Sequence, residues 1–133
     1  MLKTIEENAT GLQHVGIPTR DMDATIKFWE LLGFKVTGEF QNLTSKVKFL
    51  EFKGLVIETW EARAEQANGV VGAINHISLN VEHIEDIFAE CQMSALNVVN
   101  DSIQERPFWD KGIKFFNVEG PNHEIVEFCQ INQ

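Results

Sequence analysis

Two histidines and two glutamates stand at matching places in a chain that is written twice. Offsetting the sequence by 62 positions lays Leu12-Gln13-His14-Val15-Gly16-Ile17 on Ile74-Asn75-His76-Ile77-Ser78-Leu79. The same offset sets Ile26 on Phe88, Leu31 on Met93, Phe34 on Leu96 and Val36 on Val98. After four inserted residues in the second copy, Lys48-Phe49 falls on Lys114-Phe115 and Gly54 on Gly120; after three more, Val56-Ile57-Glu58 falls on Ile125-Val126-Glu127. His14 thus matches His76, and Glu58 matches Glu127. Two copies of one folding unit about a pseudo-twofold axis would bring two imidazoles and two carboxylates to one point. Two neutral His and two carboxylates balance a divalent ion. Mixed nitrogen and oxygen donors suit Zn, Ni, Co, Mn or Fe(II), and the lack of thiolates argues against a closed structural zinc site. An ion with two free adjacent positions can chelate the vicinal oxygens of a hydroxy-carbonyl or dicarbonyl compound and acidify the C–H beside the carbonyl. A carboxylate released from the ion would then be a general base already in place.

The elements that must position these four residues read as β-α-β-β-β in each copy. In the first, Leu12–Ile17 is a strand, and Asp21 can cap a helix whose Met22, Ile26, Trp29 and Leu32 form one buried face. Gly33 sits where a helix C-terminus needs positive φ. Phe34–Phe40, Lys46–Lys53 and Leu55–Trp60 follow as strands, with a tight turn at Gly54. In the second copy Asn75–Val81 is a strand, and Ile84, Ile87, Phe88 and Cys91 mark the buried helix face. Ala95–Val99, Ile113–Val118 and Glu124–Gln130 close the module, with Gly120-Pro121-Asn122 as a turn. The first module spans about 12–61 and the second about 74–131. The linker between them, about 62–73, is rich in Glu, Gln, Asn and Gly and suits an exposed segment with one helical turn. Strand alternation puts His14 with Leu12 and Gly16, and His76 with Ile74 and Ser78. Glu58 goes with Val56 and Trp60, and Glu127 with Ile125 and Cys129. The expected fold is a single α+β domain whose curled mixed sheets form a cup, with helices on the convex face.

Composition bounds the function. At 133 residues the chain fits one domain. Its net charge of -9 argues against nucleic acid, which demands clustered Lys and Arg. No stretch approaches the ~20 apolar residues of a membrane span, and the N-terminal residues lack a signal peptide's apolar core. Cys91 and Cys129 are too few for a disulfide framework, which points to a reduced, cytoplasmic setting.

At His14-Val15-Gly16-Ile17 leading to Phe28-Trp29-Glu30-Leu31-Leu32-Gly33-Phe34, and again at Phe115–Glu127 with its Gly120-Pro121-Asn122 turn, the chain resembles the vicinal oxygen chelate superfamily. This is the glyoxalase I, bleomycin-resistance and dioxygenase group. The resemblance covers about Leu12 to Gln130. It implies paired β-α-β-β-β modules, a divalent metal on His14, Glu58, His76 and Glu127, and a lyase or isomerase acting by proton abstraction next to a metal-bound carbonyl. By likeness to glyoxalase I the base is Glu127, with Glu58 the opposing carboxylate. It also implies a homodimer, since such proteins commonly build each site with one module from each subunit; the sequence leaves intra- and intersubunit sites open. The superfamily also holds epimerases resembling methylmalonyl-CoA epimerase and non-enzymatic sequestering proteins of the bleomycin-resistance type. Glyoxalase I enzymes usually carry an Arg four residues after the first ligand and an Asn four residues after the first Glu, both holding glutathione. Here those positions are Pro18 and Ala62, so the expected substrate is another small oxygenated compound.

Other residues admit two readings. Arg106-Pro107-Phe108-Trp109-Asp110-Lys111-Gly112 can form a lid in which Arg106, Phe108, Trp109 and Lys111 meet an anionic substrate, or a loop whose aromatics anchor it to the core. Phe49 and Trp60 are candidates for the pocket wall or for core packing. His83 and His123 read as solvated surface residues, and Cys129 as a packed free thiol.

Overall fold

The computed structural model describes residues 8, 10–42, 45–70, 72 and 74–133. Each half of the chain builds its own sheet. In the first, strands β1 (Val15–Thr19), β2 (Lys35–Asn42), β3 (Ser45–Phe52) and β4 (Leu55–Glu61) lie in the order β1-β4-β3-β2. In the second, β5 (Ile77–Asn80), β6 (Asn97–Val98), β8 (Ile113–Glu119) and β9 (Ile125–Ile131) lie in the order β5-β9-β8-β6, and β7 (Gln104–Arg106) also pairs with β8. The first strand of each module runs parallel to the last, β1 to β4 and β5 to β9, while the remaining pairs are antiparallel. Helix α1 (Met22–Leu31) makes the parallel crossover in the first module and α2 (Ile84–Gln92) in the second, as parallel neighbours require. The fold is the expected α+β pair of β-α-β-β-β modules, with β7 as an added strand. No signal marked Gln104–Arg106 beforehand: two of its three side chains are exposed, so it carries no apolar alternation.

Local chemistry explains the boundaries. Asp21 caps α1, its side chain accepting a hydrogen bond from the Ala24 amide at 3.0 Å. The other end closes as a Schellman motif, with Phe34 N–H donating to Trp29 C=O and Gly33 N–H to Glu30 C=O. Gly33 takes φ +100°, where a Cβ would also press to 2.9 Å from the Phe52 ring. The β3–β4 turn places Lys53 at φ 52° and Gly54 at φ 84°, the two positive values of a primed hairpin turn. At the second helix His83 holds the N-cap position with φ 56° and no side-chain cap. In the linker, the amides of Gln66 and Ala67 both donate to Arg63 C=O, the single turn expected there; its Val71 and Ala73 lie outside the described residues.

Alternation along β4 and β9 puts Ile57, Thr59, Val126 and Phe128 into the core and leaves Glu58 and Glu127 on the opposite face. Trp29, Phe34 and Leu50 join Ile57, while Ile84, Phe116 and Val118 join Val126, all nearly or fully buried. Each such aliphatic or aromatic side chain stabilises the fold by about 1.5–3 kcal/mol when removed from water. The buried face of α1 comprises Met22, Thr25, Phe28 and Trp29 rather than Met22, Ile26, Trp29 and Leu32; Ile26 and Leu32 are only partly covered. Thr25 escaped the apolar pattern because it is buried through its hydroxyl's partners.

Candidate metal centre

The parallel register sets the site. Gly16 stands opposite Glu58 and Ser78 opposite Glu127. Each His lies two residues ahead of that position, just before its strand begins, and so shares a face with its Glu. His14 Nε2 comes 3.6 Å from Glu58 Oε2, and His76 Nε2 comes 3.9 Å from Glu127 Oε2. The duplicated sequence is thus a duplicated pair of donors.

Behind each imidazole stands an amide. The Gln13 side-chain oxygen pairs with His14 Nδ1, and Asn75 Oδ1 lies 3.0 Å from His76 Nδ1. Gln13 and Asn75 are themselves repeat equivalents. An amide oxygen only accepts, so it selects the Nδ1–H tautomer and turns the bare Nε2 lone pair toward the carboxylate. Two donors bound to one ion at about 2.0–2.2 Å stand roughly 3.0–3.5 Å apart, so a closure of a few tenths of an ångström would seat a divalent cation in either pair. The donor set and tautomers therefore fit such an ion. Among the described residues, no group of three or more His, Cys, Asp or Glu lies close enough to hold a metal. The described residues present two separate His–Glu pairs.

The two pairs differ in their support. Ser78 Oγ–H donates to Glu127 Oε1 at 2.9 Å. Its repeat equivalent, Gly16, has no side chain, and a Cβ there would sit 3.1 Å from the Trp60 ring. The Glu127 side chain is 16% exposed and that of Glu58 27%. Ser78 was not singled out from sequence as a site residue; its match to Gly16 and its parity with His76 were the available signals. Phe49 sits opposite Glu58 and meets the His14 ring edge-on at 5.8 Å. Trp60 covers Gly16, and its indole N–H reaches Gln66 Oε1 at 3.5 Å. Both aromatics therefore flank the first His–Glu pair rather than the core.

Beside His76 a cavity of about 430 Å³ opens between the modules, lined by Gly16, Ile17, Pro18, Ile74, Ile125 and linker residues that include Val70. Arg106, Phe108, Trp109 and Lys111 do not line it. Phe108 and Trp109 are 53% and 74% exposed, which leaves them no anchoring role in the core. Arg106 stacks over Phe115 at 5.3 Å. His123 is exposed in the hairpin turn and bonds Glu119 Oε1 through Nδ1 at 2.6 Å. Burial, and then the charge of Glu127, pushes the Cys129 thiol above its usual range, so it stays protonated at neutral pH.

A sequence profile of the Glyoxalase/Bleomycin resistance protein/Dioxygenase superfamily matches residues 11–128. The chain belongs to that superfamily. Uncharacterized protein YwbC of Bacillus subtilis (strain 168) is 29% identical over 129 residues, a match covering 92% of this chain and 98% of YwbC. Among solved structures, a glyoxalase family protein from Enterococcus faecalis superimposes with a TM-score of 0.74 at 21% identity, covering 91% of this chain and 98% of that one. The genomically encoded fosfomycin resistance protein FosX from Listeria monocytogenes gives 0.70 at 19% identity, covering 92% and 94%. At those identities the likeness establishes the glyoxalase-superfamily fold. No helix among the described residues is long and apolar enough to cross a membrane.

Proposed function

We propose that this glyoxalase-superfamily chain is a metal-dependent lyase or isomerase acting on a small hydroxy-carbonyl or dicarbonyl compound. In this reading His14 and Glu58 of one protomer and His76 and Glu127 of a second enclose one divalent ion. The observation that carries it is the repeated His–Glu pair, each imidazole backed by an amide that leaves Nε2 free. A homodimer accounts for two further features. Leu12 and Ile74 are repeat equivalents two residues ahead of each His, and they are 74% and 75% exposed. A second copy that completed each half-site would cover them.

Bound there, the ion would supply Lewis acidity toward a pair of vicinal oxygens. Glu127, held by Ser78, takes the proton from the carbon beside the carbonyl and returns it to the product. Glu58, without a hydroxyl behind it, is the opposing carboxylate. Phe49 and Trp60 form the wall next to His14. Arg106 and Lys111, with the exposed Phe108 and Trp109, supply a basic, aromatic loop suited to an anionic substrate group.

Metal analysis of untagged protein, followed by a screen of 2-oxo-aldehydes and hydroxy-carbonyl compounds, tests this reading. The expected stoichiometry is one divalent ion per protomer, and two per dimer. Glu127→Gln should retain some metal affinity but lower turnover by about 10²-fold or more. The mainly apolar cavity beside His76 favours a second reading, a protein that sequesters a small molecule without chemistry. Protein that takes up no divalent ion yet binds an apolar ligand would favour that reading over the enzyme.

A further inference from the structure

Asn122 was legible in the sequence only as a turn residue, yet it carries hydrogen bonds into both modules. Its Oδ1 lies 2.8 Å from Thr19 Oγ1 and its Nδ2 lies 2.7 Å from Thr25 Oγ1, both in the first module. Within its own module Nδ2 also donates to Glu124 Oε2 at 3.1 Å, and the Asn122 backbone N–H donates to Glu124 Oε1 at 2.9 Å. Thr19 and Thr25 are fully buried, and their hydroxyls are 2.8 Å apart.

The donor inventory closes these contacts into a directed ring. Oδ1 can only accept, so Thr19 O–H donates to it. Nδ2 can only donate, so Thr25 Oγ1 accepts. Thr25's own proton then goes to Thr19 Oγ1, which also accepts the Asp21 amide at 2.9 Å. Glu124 fixes the orientation of the amide, because turning it over would set a carbonyl oxygen against the carboxylate. Gly120 leaves the space in which that carboxylate lies, since a Cβ there would overlap Glu124 Oε1.

The ring's place in the fold gives it consequence. Thr19 ends β1, the strand that starts beside His14, and Asp21 caps α1. Glu124 immediately precedes β9, which carries Glu127. Among the described residues no strand of one sheet pairs with a strand of the other. Apolar contact is non-directional, whereas hydrogen bonds to the buried hydroxyls of Thr19 and Thr25 fix an orientation.

We infer that Asn122 is a positioning residue whose amide, clasped by Thr19 and Thr25, sets the angle between the modules and so the spacing of the two His–Glu half-sites. This rests on the reading that the half-sites share one ion. The angle within each chain then decides how well His76 and Glu127 of one protomer meet His14 and Glu58 of the other.

The test uses Asn122→Ala and Thr25→Val, with Thr25→Ser as the variant that keeps the hydroxyl and Ile113→Val as a core substitution outside the ring. Two readouts are taken: amide hydrogen exchange of the metal-free protein, and Co²⁺ affinity by calorimetry. Breaking the ring should speed exchange at residues 19–25 and 122–126 and weaken Co²⁺ binding, each by about tenfold or more. Thr25→Ser should restore both, and Ile113→Val should leave affinity unchanged. Unaltered seam exchange, or unaltered affinity once exchange has risen, overturns the inference, as does an equal loss in Ile113→Val. Wild-type protein that binds no Co²⁺ removes the proposed function and with it the inferred effect on the half-sites. The exchange arm still decides whether Asn122 holds the seam.

Discussion

Ser78 donates a 2.9 Å hydrogen bond to Glu127, and the repeat offers nothing equivalent to Glu58, because Gly16 occupies the matching place beneath Trp60. Duplication produced two similar donor pairs, and only Glu127 has a hydroxyl behind it. In the proposed mechanism the base must be aimed as well as present, so Ser78→Ala should lower turnover by roughly tenfold while leaving overall stability nearly unchanged. This is the scale of one hydrogen bond to a charged, partly exposed group. Steady-state kinetics on a substrate from the carbonyl screen, with thermal denaturation alongside, checks it. The reciprocal Gly16→Ser should not rescue symmetry, since its Cβ meets the Trp60 ring at 3.1 Å.

The amides behind the imidazoles give a second prediction. Replacing Asn75 or Gln13 by Leu removes the acceptor that selects the Nδ1–H tautomer. Outer partners of this kind typically contribute 10–100-fold to metal affinity. Each substitution should weaken Co²⁺ or Zn²⁺ binding within about that range by competition with a chromogenic chelator. Asn75→Gln, which keeps an amide, should lose less than Asn75→Leu.

What could be read from the residues alone followed from how locally each feature is encoded. The four candidate ligands emerged because a repeat compares the chain with itself, and period-two alternation then set the face of each. Asp21, Gly33 and Gly54 were legible because caps and tight turns are decided by a few neighbouring residues. Thr19, Thr25 and Asn122 form their ring across about a hundred positions of sequence, and no short-range pattern encodes such a meeting. Ser78 and the strand at Gln104–Arg106 were hidden for a related reason: one owes its role to the strand beside it, and the other forms by pairing with β8.

Glu124 yields a pH dependence. Burial raises its carboxyl above the ordinary carboxylate value of 4.5, outweighing the two N–H groups of Asn122 that favour the charged form. A carboxyl raised in the folded state binds protons more readily folded than unfolded over that interval. Its contribution to stability is therefore fully present below about pH 4.5 and is lost as pH rises through the raised folded value. Comparing urea unfolding of wild type and Glu124→Gln across pH 4 to 7 isolates this group from the other carboxylates. Relative to the variant, wild type should lose stability as pH rises through the window; a constant difference would refute the assignment.

Pro18 and Ala62 occupy the places where glyoxalase I enzymes usually carry the Arg and Asn that hold glutathione, and neither side chain can donate a hydrogen bond. In the fold Pro18 faces Trp60 across β1 and β4 and lines the cavity beside His76, while the Ala62 amide is committed to Thr19 C=O at 2.9 Å. Two lost hydrogen bonds to charged groups, at roughly 1.5–3 kcal/mol each, weaken binding by about two to four orders of magnitude. Arg63 is exposed one residue along, and Arg106 is stacked on Phe115, so either would have to compensate from a different geometry. The methylglyoxal–glutathione hemithioacetal should accordingly be a poor substrate, with another small oxygenated compound preferred. An ordinary kcat/KM of about 10⁴–10⁸ M⁻¹s⁻¹ on that adduct would show that glutathione is held here by a different set of contacts.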